Sequence, residues 1–269
     1  MPKVKRDAVG PVISAGQAVE ECYEDDYACY CRLSNILPQD KTAGRKEQAY
    51  SVFQSMKTAL DQCDMQFTNI VRTWFFIDHI LDWYDGFNRI RTKFMTENKV
   101  FEKILPASTG VGGTNTSGTA LIGSALAIKP KTKLFTVRTI PSPLQGPALD
   151  YESSFSRAVE TACPTQRVLY VSGTASINAE GTSLYGGNAV RQIEFTMQVV
   201  DSLLKSRGMN WADVSRGVAY FKRREDTKLF RRYCLDSQIP PLPLTVSVSD
   251  ICREELLFEI ELDAVKAAK

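Results

Sequence analysis

Apolar positions recur along the chain with two periods, and the switch between them marks out its elements. Over residues 47–63 the apolar Tyr50, Phe53, Met56, Ala59 and Leu60 fall three or four apart, which lays one stripe along one face of a helix. Residues 67–80 are dense in Val, Trp, Phe and Ile and read as a strand. Residues 83–95 return to helical spacing with Phe87, Ile90 and Phe94 inward, and 27–33 and 119–128 read as further strands. In the second half, 168–171 is a short strand that Ser172-Gly173 is expected to stop, followed by a polar, Gly-rich loop. Then come a helix at 190–207 burying Ile193, Met197, Val200 and Leu204, a strand at 214–221, a helix at 224–234 and a final strand at 256–262. Residues 1–25, 35–45, 105–110 and the proline-rich 239–243 read as irregular.

The order of elements occurs twice. At an offset of 144 residues, without gaps from Gln48 to Phe76, Gln48 meets Gln192, Gln54 meets Gln198, Leu60 meets Leu204, Met65 meets Met209 and Arg72 meets Arg216. A shared order of helix, turn, strand, helix, proline-bearing loop and strand points to a duplicated unit. Pro130, Pro141, Pro143 and Pro147 mark the connection. The expected division is 1–130, a linker at 131–152, and 153–269.

An apolar fraction of 43% and a charged fraction of 24% are those of a globular protein. The 33 basic and 31 acidic side chains interleave to a net charge of +2, which leaves no field to attract nucleic acid. The basic start Met1-Pro-Lys-Val-Lys-Arg6 has no apolar run behind it, and no stretch of 18 apolar residues occurs. A cytoplasmic protein without membrane contact is the expectation. Seven cysteines with no framework spacing read as reduced structural thiols, and one histidine with no zinc spacing excludes a metal cofactor from the expected set.

Ser172-Gly173, Gly187 with Gln192 ahead of a helix, and Glu259-Ile-Glu261 in the last strand resemble the RidA family (YjgF-type reactive-intermediate deaminases) in both halves. Within it, Ser154-Phe-Ser-Arg-Ala158, Val171-Ser-Gly-Thr-Ala-Ser-Ile177 and Cys252-Arg253 ahead of Leu256-Leu257 make the second half resemble the chorismatases. The resemblance implies an α+β fold of tandem RidA/chorismate-mutase-like domains, each a mixed β-sheet with helices packed on one face. It also implies a pocket between neighbouring domains and either a homo-oligomer (a trimer) or a pseudo-symmetric monomer.

Chorismatases use the glutamate matching Glu259 as the acid that protonates an enol ether before water completes its cleavage, so Glu259 is the expected catalytic residue. Its apolar neighbours Leu257, Phe258, Ile260 and Leu262 would raise its pKa. A small anionic metabolite is the implied substrate, bound without cofactor. Arg157 is the first candidate to hold it, with Arg216 and Arg253 behind it; Ser172, Gly173 and Thr174 would position a ligand oxygen, and Trp74, Phe76 and Asn88 would complete the wall. Two departures bear on this. The arginine of the family's Pro-Ala-Arg motif is absent from Pro106-Ala107-Ser108 and from Pro241-Leu242-Pro243, which disfavours imine or enamine deamination. Trp74-Phe75-Phe76 stands where a chorismatase is expected to carry Trp-Asn-Tyr, which leaves acceptance of chorismate itself open. A binding protein without chemistry is the remaining alternative.

Overall fold

Residues 19–268 are described by the structure, a computed structural model. The first half contributes β1 (Val19–Glu24), β2 (Ala28–Ile36), α1 (Arg45–Gln62), β3 (Ile70–Ile77), α2 (Ile80–Glu97), β4 (Ala107–Gly112) and β5 (Leu121–Pro130). The second contributes β6 (Thr136–Ile140), β7 (Ala158–Ala162), β8 (Gln166–Ala175), α3 (Ala189–Ser206), β9 (Val214–Phe221), α4 (Thr227–Asp236), β10 (Leu244–Val248) and β11 (Phe258–Ala267). Their sheets run β1-β2-β5-β3-β4 and β6-β7-β8-β11-β9-β10. The first five strands therefore map onto β7, β8, β11, β9 and β10 in the same spatial order, and β6 is an addition. In both sheets the last strand of the half sits centrally, antiparallel to its neighbours, while the outermost β4 and β10 run parallel to β3 and β9. This is an α+β fold of two RidA-like halves.

The repeated residues do the same work in each half. Gln48 of α1 accepts the Ala120 amide at 2.8 Å, just ahead of β5, and donates to Lys41 and Ala43 carbonyls. Gln192 of α3 accepts the Leu257 amide at 2.8 Å, just ahead of β11, and donates to Tyr185 and Glu255 carbonyls. A buried amide with three satisfied bonds fixes where the central strand starts against its helix. The turn after each helix closes the same way, Gln66 donating its amide to Asn69 and Asn210 its amide to Asp213, each at 2.8 Å. One core gathers α1 and α2 on the first sheet around Phe53, whose ring meets Phe67, Phe75, Phe87 and Phe94; a second gathers α3 and α4 on the other sheet around Phe221, Phe230 and Phe258.

Several segments differ from the pattern expected from sequence. Residues 19–24, expected irregular, pair with β2; residues 1–18 lie outside the described residues. Part of the expected linker forms β6, which pairs with β7. β4, β7 and β10 were not expected as strands; they are short and lie toward the sheet edges, so no long apolar run marks them. The thiols are not all reduced: Cys22 and Cys63 form a disulfide that ties β1 to the end of α1. Cys31 faces Cys22 across the β1–β2 ladder, and these three sulfurs are the group with metal-ligand proximity found among the described residues. No described helix is long and apolar enough to cross a membrane.

Phe53→Ala should cost about 3–5 kcal/mol, because four rings would face the space it leaves. Denaturant unfolding checks this as a drop in midpoint at unchanged slope.

Candidate active site between the two halves

The halves meet where β4 lies along β8. Ala107 bridges to Ser156, the Ser156 amide donates to the Pro106 carbonyl at 3.0 Å, and the Ser108 amide donates to Ser172 Oγ at 2.9 Å. Ser172 Oγ donates in turn to the Ser156 carbonyl at 2.5 Å, and the Gly173 amide donates to Thr109 Oγ1 at 3.0 Å. A cavity of about 100 Å³ opens in this seam. The first half lines it with Tyr84, Asn88 and Arg91 of α2 and Ser108 of β4; the second lines it with Arg157, Gly173, Arg253 and Glu259.

Glu259 sits near the start of β11, between Ala175 of β8 and Tyr220 of β9, and is 4% exposed. Its Oε1 lies so close over Gly173 that a Cβ there would be 2.1 Å from it. That approach explains the glycine: Ser172-Gly173 does not stop the strand as expected, since β8 continues to Ala175. Among the described residues no hydrogen bond reaches the Glu259 carboxyl. Burial first, and then the negative charge of Glu261, push its pKa up to about 8, against a smaller opposing pull from Arg72. A neutral, proton-bearing carboxyl at pH 7 follows.

Cations surround it. Arg91 is 1% exposed, donates to Asn88 Oδ1 at 2.7 Å and to Ser108 Oγ at 3.4 Å, and lies 5.4 Å from the ring centres of Phe87 and Phe155. Arg157, 5% exposed, donates Nε–H to the Gly146 carbonyl at 2.9 Å and faces the Tyr151 and Phe155 rings. Arg253 is anchored on the Gly181 carbonyl and Ser183 Oγ, at 2.8 and 3.0 Å. Nε of Arg91 and Nη2 of Arg157 are buried without a partner, and burial lowers the pKa of both guanidiniums from the usual value. None of the three arginines is in an ion pair among the described residues. Arg91 stands beside Ser108, so a guanidinium from α2 occupies the neighbourhood that the missing motif arginine would fill from β4.

Of the residues singled out from sequence, Glu259, Arg157, Gly173, Asn88 and Arg253 are brought together here. Ser172 and Thr174 are spent on the backbone, Thr174 Oγ1 donating to the Ser172 carbonyl at 2.8 Å. Trp74, Phe76 and Arg216 are not in this cavity; they line a separate one of about 330 Å³, shared with Glu261 and Asp263. Phe75 points into the first core. The Trp-Phe-Phe departure therefore leaves the wall around Glu259 untouched. Arg91, Tyr84 and Tyr151 were not singled out. Arg91 was within reach, because it follows Asn88 by three residues and so shares its helix face; Tyr151, in the proline-rich connection, carries no such signal. Cys252 lines the cavity, and burial pushes its thiol up to about 12, far from the thiolate that nucleophilic chemistry needs.

Residues 146–266 match the family model described as Endoribonuclease L-PSP, so the second half carries a domain of this RidA-type family. The chain is 25% identical over 224 residues to a 3-hydroxybenzoate synthase and 26% identical over 215 residues to a chorismatase, both of Streptomyces hygroscopicus. These matches take in 72% and 71% of this chain but 63% and 60% of the relatives, so the chain spans less than two thirds of their length. A crystal structure of a chorismatase superposes with a TM-score of 0.69 at 21% identity, covering 95% of this chain and 79% of the other. That neighbour shares the fold.

Because folding favours the protonated form of Glu259, its contribution to stability is complete below about pH 4.5 and is lost as pH rises through about 8. Thermal unfolding of the wild type should show stability falling across that window by an amount on the order of a few kcal/mol, and Glu259→Gln should flatten the slope.

Proposed function

We propose that this protein is a chorismatase-like hydrolase or lyase that cleaves an enol ether on a small dicarboxylate of the chorismate type, with Glu259 as general acid. The observation that carries the proposal is three guanidiniums without ion-pair partners around one neutral, buried carboxyl. Isolated buried cations are costly unless an anion arrives to meet them; planar guanidiniums receive carboxylates in a two-pronged grip. Arg91 with Asn88, and Arg157 with Arg253, flank Glu259 from opposite halves of the chain and suit a ligand with two carboxylates.

In the chemistry proposed, the Glu259 carboxyl gives its proton to the terminal CH₂ carbon of the enol ether, and the ether carbon becomes an oxocarbenium ion. Water adds to that carbon and yields its proton to the Glu259 carboxylate, restoring the acid. The resulting hemiketal collapses to an alcohol and a 2-oxo acid, which is pyruvate for an enolpyruvyl ether. A carboxyl protonated near pH 7 is matched to the first step. The Streptomyces relatives named chorismatase support the choice of substrate class.

Incubation with chorismate and with isochorismate should release pyruvate, and Glu259→Gln should lower the rate by at least about 100-fold. Arg91→Met should raise KM at least about tenfold, consistent with loss of a charge-assisted contact. Absence of pyruvate with both substrates would remove the proposal. The guanidinium beside Ser108 favours one second function, imine deamination of an amino-acid-derived intermediate; Glu259-dependent ammonia without pyruvate is its signature.

A further inference from the structure

Two residues beyond Glu259, the strand carries a second buried carboxylate whose surroundings are the opposite of the first. Glu261 is 0% exposed and fully engaged. Arg72 Nη2 donates to its Oε2 and Arg216 Nη2 to its Oε1, each at 2.5 Å, Trp74 Nε1 donates to Oε1 at 3.0 Å, and Thr109 Oγ1 donates to Oε2. Arg72 and Arg216 are the repeat-related pair, one from each half, and the Trp74 ring lies 4.8 and 5.3 Å from their guanidinium carbons. The connection to Glu259 runs through Thr109. Because its hydroxyl proton goes to Glu261, the lone pairs of Oγ1 are left to receive the Gly173 amide and, at 2.6 Å, Nη2 of the same Arg72 that pairs with Glu261. Gly173 is the residue pressed against Glu259 Oε1, and its amide is turned to Thr109 rather than to the acid.

We propose that Glu261 is a positioning residue for Glu259: it fixes Thr109 so that the Gly173 amide cannot stabilise a Glu259 carboxylate, and it supplies a fixed negative charge that keeps the proton on the acid. The assignment rests on Glu259 being the proton donor proposed above. Other groups facing Glu259 do not substitute for Glu261. Arg72 of β3, Arg91 of α2, and Arg157 and Arg253 from the loops are cations that favour the ionised form. Tyr220, opposite Glu259 on β9, and Tyr84 have hydroxyl pKa values raised by burial, and Tyr151 and Cys252 likewise, so all four are neutral at pH 7. Asp85 lies exposed at the mouth of the cavity. Glu261 is then the buried anion available to hold the proton on Glu259.

The test needs no substrate. The ¹³C signal of the Glu259 side-chain carboxyl, assigned by its loss in Glu259→Gln, is followed against pH in the full chain. Wild type should titrate near 8; Glu261→Gln should lower the midpoint by at least about one unit; Glu261→Asp, which keeps the charge, should stay within a few tenths. Thr109→Val retains Glu261 and frees the Gly173 amide, and should lower the midpoint by a smaller step. An unchanged midpoint in Glu261→Gln overturns the proposal, and should that variant fail to fold, an unchanged midpoint in Thr109→Val overturns it. A shifted midpoint in a protein that releases no pyruvate would retain the coupling and discard the reaction; pyruvate release with an unshifted midpoint would do the reverse.

Discussion

One carboxylate joins the two halves of this chain. Glu261 receives an arginine from each repeat, Arg72 and Arg216, at the same offset that relates Gln48 to Gln192. Duplication of a fold gives two equivalent arginines, but the carboxylate occurs in the second repeat alone, since β5 carries no acidic residue where β11 has Glu259 and Glu261. The halves cannot then be independent. Arg72 is fully buried, and without Glu261 it would be an uncompensated charge at the seam, a state that costs far more than a surface pair is worth.

From that pairing the site follows. Bringing β4 against β8 sets α2 of the first half over the start of β11, which puts Arg91 and Asn88 opposite Arg157 and Arg253 with Glu259 between them. Alternate carboxyls on one strand face have separate fates: Glu261 is held by ion pairs and hydrogen bonds, whereas Glu259 is in no ion pair or hydrogen bond among the described residues and holds its proton. A buried carboxyl that keeps its proton is suited to acid catalysis at neutral pH. The arrangement also answers how a chain without the family's Pro-Ala-Arg arginine can present a guanidinium there, since Arg91 reaches the place of Ser108 from a helix.

Much of this was legible in the sequence because the helices α1 and α3 bury one stripe each and the central strands carry apolar residues at most of their positions. The duplication was legible from Gln48 and Gln192, whose conserved spacing reflects one hydrogen-bonding task performed twice. The short outer strands β1, β6, β7 and β10 were not, because they cover little apolar surface and their pairing partners lie elsewhere in the chain. Gly173 was read as a turn, whereas its lack of a side chain serves the carboxyl above it. Glu259 was picked out by the resemblance of its strand to the chorismatases, since its apolar neighbours alone also fit an ordinary half-buried strand; Trp74, Phe76 and Arg216 were grouped with it although they line the cavity shared with Glu261. A pairing across 187 residues, as between Trp74 and Glu261, leaves no local trace.

The most direct measurement is a crystal structure of the Glu259→Gln protein soaked with chorismate. The ligand should lie in the seam between β4 and β8, its carboxylates on Arg91 and Arg157 and its enolpyruvyl group against residue 259. A ligand bound instead beside Trp74 and Arg216, or density confined to the surface, would contradict the account.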